Sequence, residues 1–548
     1  TTADTVEENI ARACTVYCYG DILAAVQLSG IYNDSKTFVD MPMKQDPEVV
    51  NQAFLAIDAS DTAALQQFLD TYFYPYGSDI NEWTPPDLQE EPAFLASIED
   101  DGLRQWGSEL NQLWNVLGRE VDASVAENPQ RHSFVPRNYP MIVPGGRFRE
   151  SYYWDTWWIV RGLLVCDMTV TAEYVINNLL DDIENFGFVP NGGRIYYLDR
   201  SQPPLLSEMV NSYVDKLGVG SKNATRMLTR AFPLLLIEYD WWMDSNNGHV
   251  VAVQGSGGET YTLNRYSSNA SSPRPESYAE DVGTAAEAGA GRSSADLYHN
   301  IRSAAESGWD FSSRWIAGSK PKNNISNIET LDIIPVDLNC YMYRWELNMA
   351  EFARILGQSS TVRSTYLDAA ADRAAAIDAV LWRSHSGENN LQGLWYDYNI
   401  TAGASQKNNG DSSLSLAQWI PMWAGLAVGK SVESLLSTLF QSGIIQDGGL
   451  LTTLATETGQ QWDSPNAWAP LVLLTVEGLS TVGIPAATFL ASNISKSWIS
   501  TNYIAFERSG YMYEKYNAYE VGVGGGGGEY KPQIGFGWSN GVALVLLN

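Results

Sequence analysis

Pro144-Gly-Gly-Arg-Phe-Arg-Glu-Ser-Tyr-Tyr-Trp-Asp-Thr-Trp-Trp158 carries more information than any other stretch of this chain. It opens with a Pro-Gly-Gly turn, where glycine adopts backbone angles that other residues resist. Arginine, glutamate and aspartate then alternate with six large aromatic residues. Two interpretations are open: a buried salt bridge beneath an aromatic cluster, or a wall that stacks a sugar ring on an aromatic face while charged groups bind its hydroxyls.

The composition favours a large, acidic protein with an extensive core. The chain has 548 residues, of which 45% are hydrophobic and 12% aromatic, including 19 tryptophans and 29 tyrosines. Such an excess of amphipathic aromatics suits carbohydrate contact or a large interface. The net charge of -30 argues against nucleic acid, anionic membranes and polyphosphates as partners, because each of them is an anion. No apolar run approaches the roughly 18 residues of a membrane-spanning helix, so no obligate membrane contact is expected of this segment.

The cysteines and glycosylation sequons bear on the cellular compartment. Cys14 and Cys18, four residues apart, are close enough in sequence for a local disulfide, whereas Cys166 lies in an apolar run typical of a buried thiol. Six sequons permit glycosylation, at Asn33, Asn223, Asn269, Asn324, Asn399 and Asn493. We therefore expect a secreted or extracellular protein, with the periplasm, a vacuole, or membrane attachment through other segments as alternatives.

Hydrophobic periodicity predicts a mostly helical chain. Leu103, Trp106, Leu110 and Trp114 share one helical face, and further helices are predicted over 157–165, 171–184, 205 onward, 225–244, 296–307, 337–356, 362–382, 413–428, 432–441 and 468–482. Two alternating runs, 249–254 and 260–265, flank Gly-Ser-Gly-Gly and predict a β-hairpin. Because no linker interrupts the helices, we expect one all-α domain over 1–548, with helix pairs closed into a ring or a solenoid. Residues 1–100 are expected to pack on it as an extension.

Two motifs suggest where the chemistry lies. The dipeptide Trp-Asp occurs at three predicted boundaries between helix and loop, namely Trp154-Asp155, Trp309-Asp310 and Trp462-Asp463. Closer to the C-terminus, Glu514-Lys-Tyr516 precedes a five-glycine run, Gly524–Gly528, and Glu529. The run lacks the strand, helix and Lys-Ser/Thr of a phosphate-binding loop. It is therefore either a slack linker or a mobile flap that closes with Glu529.

Pro144–Trp157 and Gln461–Pro470 resemble the two signature motifs of the trehalases of glycoside hydrolase family 37. The glycine run, the Glu-Lys-Tyr before it and Gly535–Gly541 after it are similar to that family's C-terminal pattern. The likeness extends from about Asp34 to the end of the chain. The resemblance implies an (α/α)6 barrel that hydrolyses α,α-trehalose to two glucose molecules with inversion, using no metal and no other cofactor.

The same resemblance implies a role for each site residue. The family's general acid falls on Asp310 and its general base on Glu514. Its substrate-binding pattern falls on Arg147, Trp154, Asp155, Asn191, Arg200, Gln202, Arg274, Glu276, Gly308 and Glu529. We expect Phe148 and Trp462 to join them as aromatic contacts. Two alternatives are kept: another (α/α)6 glycoside hydrolase, such as a glucoamylase-like or mannosidase-like enzyme, and a catalytically inactive sugar-binding protein on this scaffold.

The physics of the reaction adds expectations about particular groups. An inverting glycosidase needs its two carboxyl groups about 6.5–9.5 Å apart, so that a water molecule fits between the base and the sugar. Asp310 must keep its proton, which burial beside aromatic neighbours favours. Lys515 either faces Glu514 or points away from it. Asp463 either lines the pocket or has a structural role beneath the barrel rim.

Overall fold

The computed structural model describes residues 5–255, 258–318, 320–384, 393–408 and 413–548. Over these ranges the chain forms twenty α-helices, of which five lie in the N-terminal segment: α1 Val6–Tyr17, α2 Asp21–Leu28, α3 Lys36–Val39, α4 Pro47–Phe54 and α5 Thr62–Tyr72. The other fifteen are α6 Asp101–Leu117, α7 Ala123–Glu127, α8 Asp155–Val165, α9 Thr169–Phe186, α10 Leu206–Leu217, α11 Lys222–Met243, α12 Tyr278–Ala288, α13 Ser294–Glu306, α14 Val336–Ile355, α15 Ser360–Ala376, α16 Ile420–Ala424, α17 Val432–Gln441, α18 Ala469–Thr481, α19 Pro485–Ser509 and α20 Gly537–Leu547.

Six of these helices close into an inner ring. Helix α8 packs on α10, α10 on α14, α14 on α16, α16 on α18, α18 on α20, and α20 back on α8. Outside them, α6 packs on α20, α9 on α8, α11 on α10, α15 on α14 and α19 on α18. Helix α17 is the sixth outer member, and its Leu435 carbonyl accepts a hydrogen bond from the indole of Trp419 before α16. Since inner and outer helices alternate along the chain, the predicted (α/α)6 barrel is confirmed.

The strands are short and lie in the connections between helices. The longest pair is the predicted hairpin, β4 Val250–Gln254 with β5 Thr260–Asn264; residues 256 and 257 of its turn lie outside the described ranges. The others are β1 Ile80–Glu82, β2 Gly118–Val121, β3 Met141–Ile142, β6 Ile333–Ile334, β7 Trp382–Ser384, β8 Gly393–Trp395, β9 Tyr398–Asn399, β10 Ala404–Ser405, β11 Ile445–Gln446, β12 Gly449–Leu450, β13 Asn466–Ala467 and β14 Tyr516–Asn517. They form the sheets β1-β2-β3 and β10-β9-β6 and the pairs β7-β8, β11-β12 and β13-β14.

Two helix predictions succeeded because the segment buries one apolar face, and one failed where a glycine ends the helix. The face shared by Leu103 and Trp114 lies on α6, and α17 has the predicted bounds, because each buries one apolar stripe. The prediction of a helix over 413–428 was wrong. That segment contains a 3-10 turn and the short α16, which ends where Gly425 adopts a φ of +88°. Helices α12, α19 and α20 were not predicted. No helix within the described ranges combines the length and apolarity of a membrane span.

Candidate active site

The loops that lead into the inner helices converge on one cavity, whose empty space is about 660 Å³ when the part open to solvent is included. Residues before α8, α10, α18 and α20 line it, together with segments beside α12 and α13. All fourteen residues assigned to the site from sequence lie in its wall: Arg147, Phe148, Trp154, Asp155, Asn191, Arg200, Gln202, Arg274, Glu276, Gly308, Asp310, Trp462, Glu514 and Glu529. The fold therefore gathers these residues in one place, whereas their individual roles remain predictions.

Nine further residues line the cavity and were missed by sequence reasoning: Tyr152, Tyr197, Ser277, Ala305, Gln461, Trp468, Tyr530, Phe536 and Trp538. Several of them sit inside the quoted motifs, so proximity to a motif was the available signal. Tyr197 and Ala305 carry no such signal, because only the tertiary packing brings them to the wall.

Asp310 follows α13 and is held through its backbone. Gln461 Nε2 donates a hydrogen bond to the Asp310 carbonyl, and Trp462 N donates to the next carbonyl, that of Phe311, at 3.0 Å. Neighbouring Trp309 and Phe311 are both buried. Burial raises the pKa of Asp310 to about 6, although Arg274 acts in the opposite direction. At mildly acidic pH this carboxyl group can therefore keep a proton and donate it.

Glu514 sits on the loop before α20 among hydrogen-bond donors. Tyr530 Oη donates to its Oε1 at 2.6 Å, and Gln533 N donates to Oε2 at 3.2 Å. Lys515 does not point away: it is buried, with Nζ 3.7 Å from Glu514 Oε2 and 2.6 Å from Gln461 Oε1. Lys515 and these two donors therefore hold the Glu514 side chain in a fixed orientation.

Each of the three arginines in the wall is paired with a carboxylate. Arg147 Nη2 lies 2.6 Å from Asp34 Oδ1, and Arg200 Nη2 lies 2.6 Å from Glu276 Oε1. Arg274 lies between two carboxylates, 2.6 Å from Asp281 and 2.9 Å from Glu529. These pairs fix the guanidinium planes while leaving other donors for sugar hydroxyls.

Three acidic groups of the wall differ in charge because their neighbours differ. Burial raises the pKa of Asp155, at the first position of α8, well above its ordinary value, so this carboxyl can donate as well as accept a hydrogen bond. Burial also raises the pKa of Glu529 to about 7. For Glu276 burial acts in the same direction, but Arg200 and Arg274 together hold its pKa below the ordinary value.

Trp154, Trp462 and Trp468 line the cavity, and their indole rings pack against one another and against the buried Trp309. Trp462 and Trp468 are parallel with centroids 3.9 Å apart, and Trp309 stacks on Trp462 at 5.4 Å. Trp154 lies 5.7 Å from Trp462. Gly308 is pressed against Trp154 with a φ of +73°, and a Cβ at this position would lie 2.6 Å from the indole. Flat aromatic surface of this kind suits the apolar face of a sugar.

The glycine run is hydrogen bonded to its surroundings. Gly525 N donates to the Lys515 carbonyl at 2.8 Å, Gly526 N donates to Asn466 Oδ1 at 3.0 Å, and Gly528 N donates to the Gly459 carbonyl at 3.2 Å. These bonds exclude the interpretation as a slack linker. Opening of the run as a flap stays a prediction.

Both interpretations of the opening stretch apply, but to different residues. Glu150 is buried at 0% exposure, 2.7 Å from Lys36 and 3.0 Å from Arg194, and Arg194 also lies 2.9 Å from Asp79. This ionic network attaches the N-terminal segment beneath the site. Arg147 instead lines the cavity.

Cys14 and Cys18 form a disulfide in the N-terminal segment, and Cys166 is a buried free thiol in the barrel, as predicted.

Asp463 does not line the cavity. Its side chain is 0% exposed. It accepts hydrogen bonds from Ser312 Oγ at 2.8 Å, Ser313 N at 2.9 Å, Thr453 Oγ1 at 2.9 Å and Thr458 Oγ1 at 2.8 Å. Of the two interpretations of this residue, the structural one therefore applies.

Comparisons with known proteins agree with the resemblance found in the motifs. The family model described as trehalase matches residues 30–548. The chain is 39% identical to trehalase of Homo sapiens over 97% of this chain and 89% of that protein, and 39% identical to trehalase of Apis mellifera over 97% and 83%. Among solved structures, neutral trehalase from Saccharomyces cerevisiae is similar with a TM-score of 0.59 at 26% identity, over 75% of this chain and 73% of that one.

Proposed function

The chain belongs to the trehalase family, and we propose that its cavity hydrolyses α,α-trehalose to two glucose molecules with inversion at the anomeric carbon. The observation that carries the proposal is the meeting of Asp310 and Glu514 in one cavity with three carboxylate-paired arginines and the indole rings of Trp154, Trp462 and Trp468. The indole rings of the wall offer apolar surface to the pyranose rings, and the arginines offer planar donors to their hydroxyls.

Asp310 acts as the general acid in this proposal. Its carboxyl proton passes to the glycosidic oxygen as the bond from that oxygen to the anomeric carbon breaks. The raised pKa of about 6 suits this role, because the proton must be present before bond cleavage and must leave during it.

Glu514 acts as the general base. It removes a proton from a water molecule that attacks the anomeric carbon from the face opposite the leaving oxygen. Proton loss from water and proton gain by the leaving glucose balance. Attack from the opposite face converts the attacked anomeric carbon to β, whereas the leaving glucose keeps its α configuration, so one α-glucose and one β-glucose are formed per trehalose. The donors on both Glu514 oxygens and the ammonium of Lys515 hold the carboxylate in place for this step.

Two variants and one product assay test the proposal. Asp310→Asn and Glu514→Gln keep the size of each side chain but remove its ability to donate or accept the proton, so each should lower trehalose turnover by about 10²-fold or more while preserving trehalose binding.

Proton NMR at early times should show equal amounts of α- and β-glucose. Exclusive α-glucose would contradict inversion. Glucose release from maltose but not trehalose would favour another (α/α)6 hydrolase, and binding of trehalose without turnover would favour a sugar-binding protein.

We also propose that the protein is secreted and glycosylated. The Cys14–Cys18 disulfide supports this, since disulfides persist in oxidising compartments. Four sequon asparagines are exposed, namely Asn33, Asn223, Asn269 and Asn493, whereas Asn399 is buried. For protein from its native source, intact mass before and after deglycosylation and a thiol titration are the tests. Two free thiols and a loss of glycan mass are expected; four free thiols with no glycan would contradict the proposal.

A further inference from the structure

Asp463 connects two loops that carry site residues. Ser312 and Ser313, which donate to it, directly follow the segment of Asp310. Thr453 and Thr458, its other two donors, belong to the loop before α18. A single buried carboxylate therefore collects donors from both loops, two from each.

The hydroxyl groups around Asp463 are oriented as donors. Each of them also accepts a backbone N–H: Ser312 Oγ from Arg314 N at 3.0 Å, Thr453 Oγ1 from Ala455 N at 3.2 Å, and Thr458 Oγ1 from Gln460 N at 3.1 Å. Each hydroxyl proton is thus available for Asp463. A carboxylate is the side chain that accepts from four donors at once, because it has two acceptor oxygens and no hydrogen.

The residues before Asp463 extend the same connection toward the cavity. Trp462 N donates to the Phe311 carbonyl at 3.0 Å, and Gln461 Nε2 donates to the Asp310 carbonyl. The backbone from 310 to 313 is therefore fixed to 461–463 at successive residues. The position of the Asp310 carboxyl group follows from these contacts.

We propose that Asp463 is a positioning residue for proton donation: by gathering four donors it sets the loop that aims the Asp310 carboxyl at the glycosidic oxygen. This inference rests on the proposed role of Asp310 as general acid. Proton transfer depends steeply on donor position, and a displacement of about 1 Å can cost about 10²-fold in rate. Glu514, which activates the attacking water, lies on a different loop, the one before α20.

The two half-reactions can be separated by the leaving group. Trehalose needs a proton on its departing glucose, whereas fluoride leaves α-D-glucosyl fluoride without protonation, so the fluoride tests attack by water and sugar binding alone. In Asp463→Asn an amide N–H₂ group replaces one acceptor oxygen and faces two donors. We expect kcat for trehalose to fall by about 10²-fold, as for a displacement of about 1 Å, with kcat for the fluoride within about threefold of wild type.

Two milder variants keep the test decisive if Asp463→Asn is poorly folded, as judged by circular dichroism and Tm. Ser312→Ala removes one donor on the Asp310 loop and should show the same selective loss on trehalose at smaller size. Thr458→Val removes one donor on the opposite loop at equal volume and should show the same selective loss at smaller size, because Asp463 joins the two loops through all four donors.

The outcomes separate this inference from the proposed function. If Asp463→Asn, Ser312→Ala and Thr458→Val, all folded, lose activity equally on the two substrates or on neither, Asp463 has no positioning role. Asp310→Asn is measured in parallel. If Asp310→Asn itself fails to spare the fluoride, the assignment of Asp310 as general acid is wrong; if it spares the fluoride and Asp463→Asn does not, only the positioning role is wrong.

Discussion

Asp34 accepts two hydrogen bonds from Arg147, one from Nε at 2.9 Å and one from Nη2 at 2.6 Å. Asp34 belongs to the N-terminal segment, outside the barrel, whereas Arg147 lines the cavity. The segment that the sequence marks as an extension therefore takes part in shaping the site.

Asp34→Asn should raise KM for trehalose by about tenfold or more, because a hydrogen bond to a charged group contributes about 1.5–3 kcal/mol. The effect should be much smaller in an Arg147→Lys background, since lysine lacks the planar guanidinium group, two of whose N–H groups donate to Asp34. Steady-state kinetics of the four proteins give this coupling. Glu48→Gln, which breaks an exposed ion pair with Arg12 in the same segment, is the control and should leave KM unchanged. Equal losses in both backgrounds would contradict the coupling.

The pKa of Asp310 predicts the alkaline limb of the pH profile. Since burial raises this pKa to about 6, the acid keeps its proton below pH 6 and loses it above. Trehalose kcat/KM should therefore fall by about tenfold per pH unit well above pH 6. The same fall should be absent with α-D-glucosyl fluoride, which needs no proton donor. If kcat/KM for the fluoride also falls above pH 6, the fall is due to the ionisation of another group.

Gly308→Ala should lower both activity and stability. Its added Cβ would lie 2.6 Å from the Trp154 indole, in a backbone conformation with φ of +73°. We expect kcat/KM for trehalose to fall at least about tenfold and the free energy of unfolding by about 1–3 kcal/mol. Gly357→Ala is the matched control, because Gly357 has a φ of +64° and a Cβ added there would meet no atom within 4 Å. That variant should lose stability only.

The glycine run offers a test within a single loop. A Cβ on Gly525 would lie 2.5 Å from Asn466 Oδ1 and 2.8 Å from Lys515 Cγ, whereas one on Gly526 would meet nothing within 4 Å. Gly525→Ala should therefore disturb the partners of Glu514 and lower kcat by about tenfold, which corresponds to a rise of about 1.4 kcal/mol in the activation free energy. Gly526→Ala should stay within about twofold. Equal effects of the two variants would show that flexibility, not close packing, is what the run requires.

Glu238 predicts a pH dependence of stability. Burial in α11 raises its pKa to about 8, above the ordinary value of 4.5. The fold accommodates the neutral carboxyl group. The free energy of unfolding is therefore highest below pH 4.5, where Glu238 is protonated in both the folded and the unfolded chain, and it falls as the pH rises toward 8. Glu238→Gln should remove this loss and gain about 3 kcal/mol relative to wild type between pH 4.5 and 7. Tm measured across this range tests it, with exposed Glu287→Gln as control. Parallel curves for variant and wild type would contradict the prediction.

The sequence by itself determined the fold class and fourteen of the residues that line the cavity. Apolar stripes at helical spacing specified most of the inner and outer helices, because a helix of the barrel must bury one face or all of them. The motifs around Trp154 and Trp462 marked loops whose charged and aromatic residues do not suit a core. Both the apolar spacing and the motifs are local features, each contained within a stretch of about fifteen residues.

Only the tertiary structure decided which side chains hold the site residues in position through hydrogen bonds. Nothing near Asp463 in sequence tells that Ser312 and Ser313 donate to it, and nothing near Arg147 indicates Asp34. Those partners meet only after the ring of helices closes and brings distant loops to one end. The protonation of Asp310 has the same origin, since its pKa depends on burial and on arginines supplied by other loops. Partners of this kind follow from three-dimensional proximity, which residue types and their spacing do not specify.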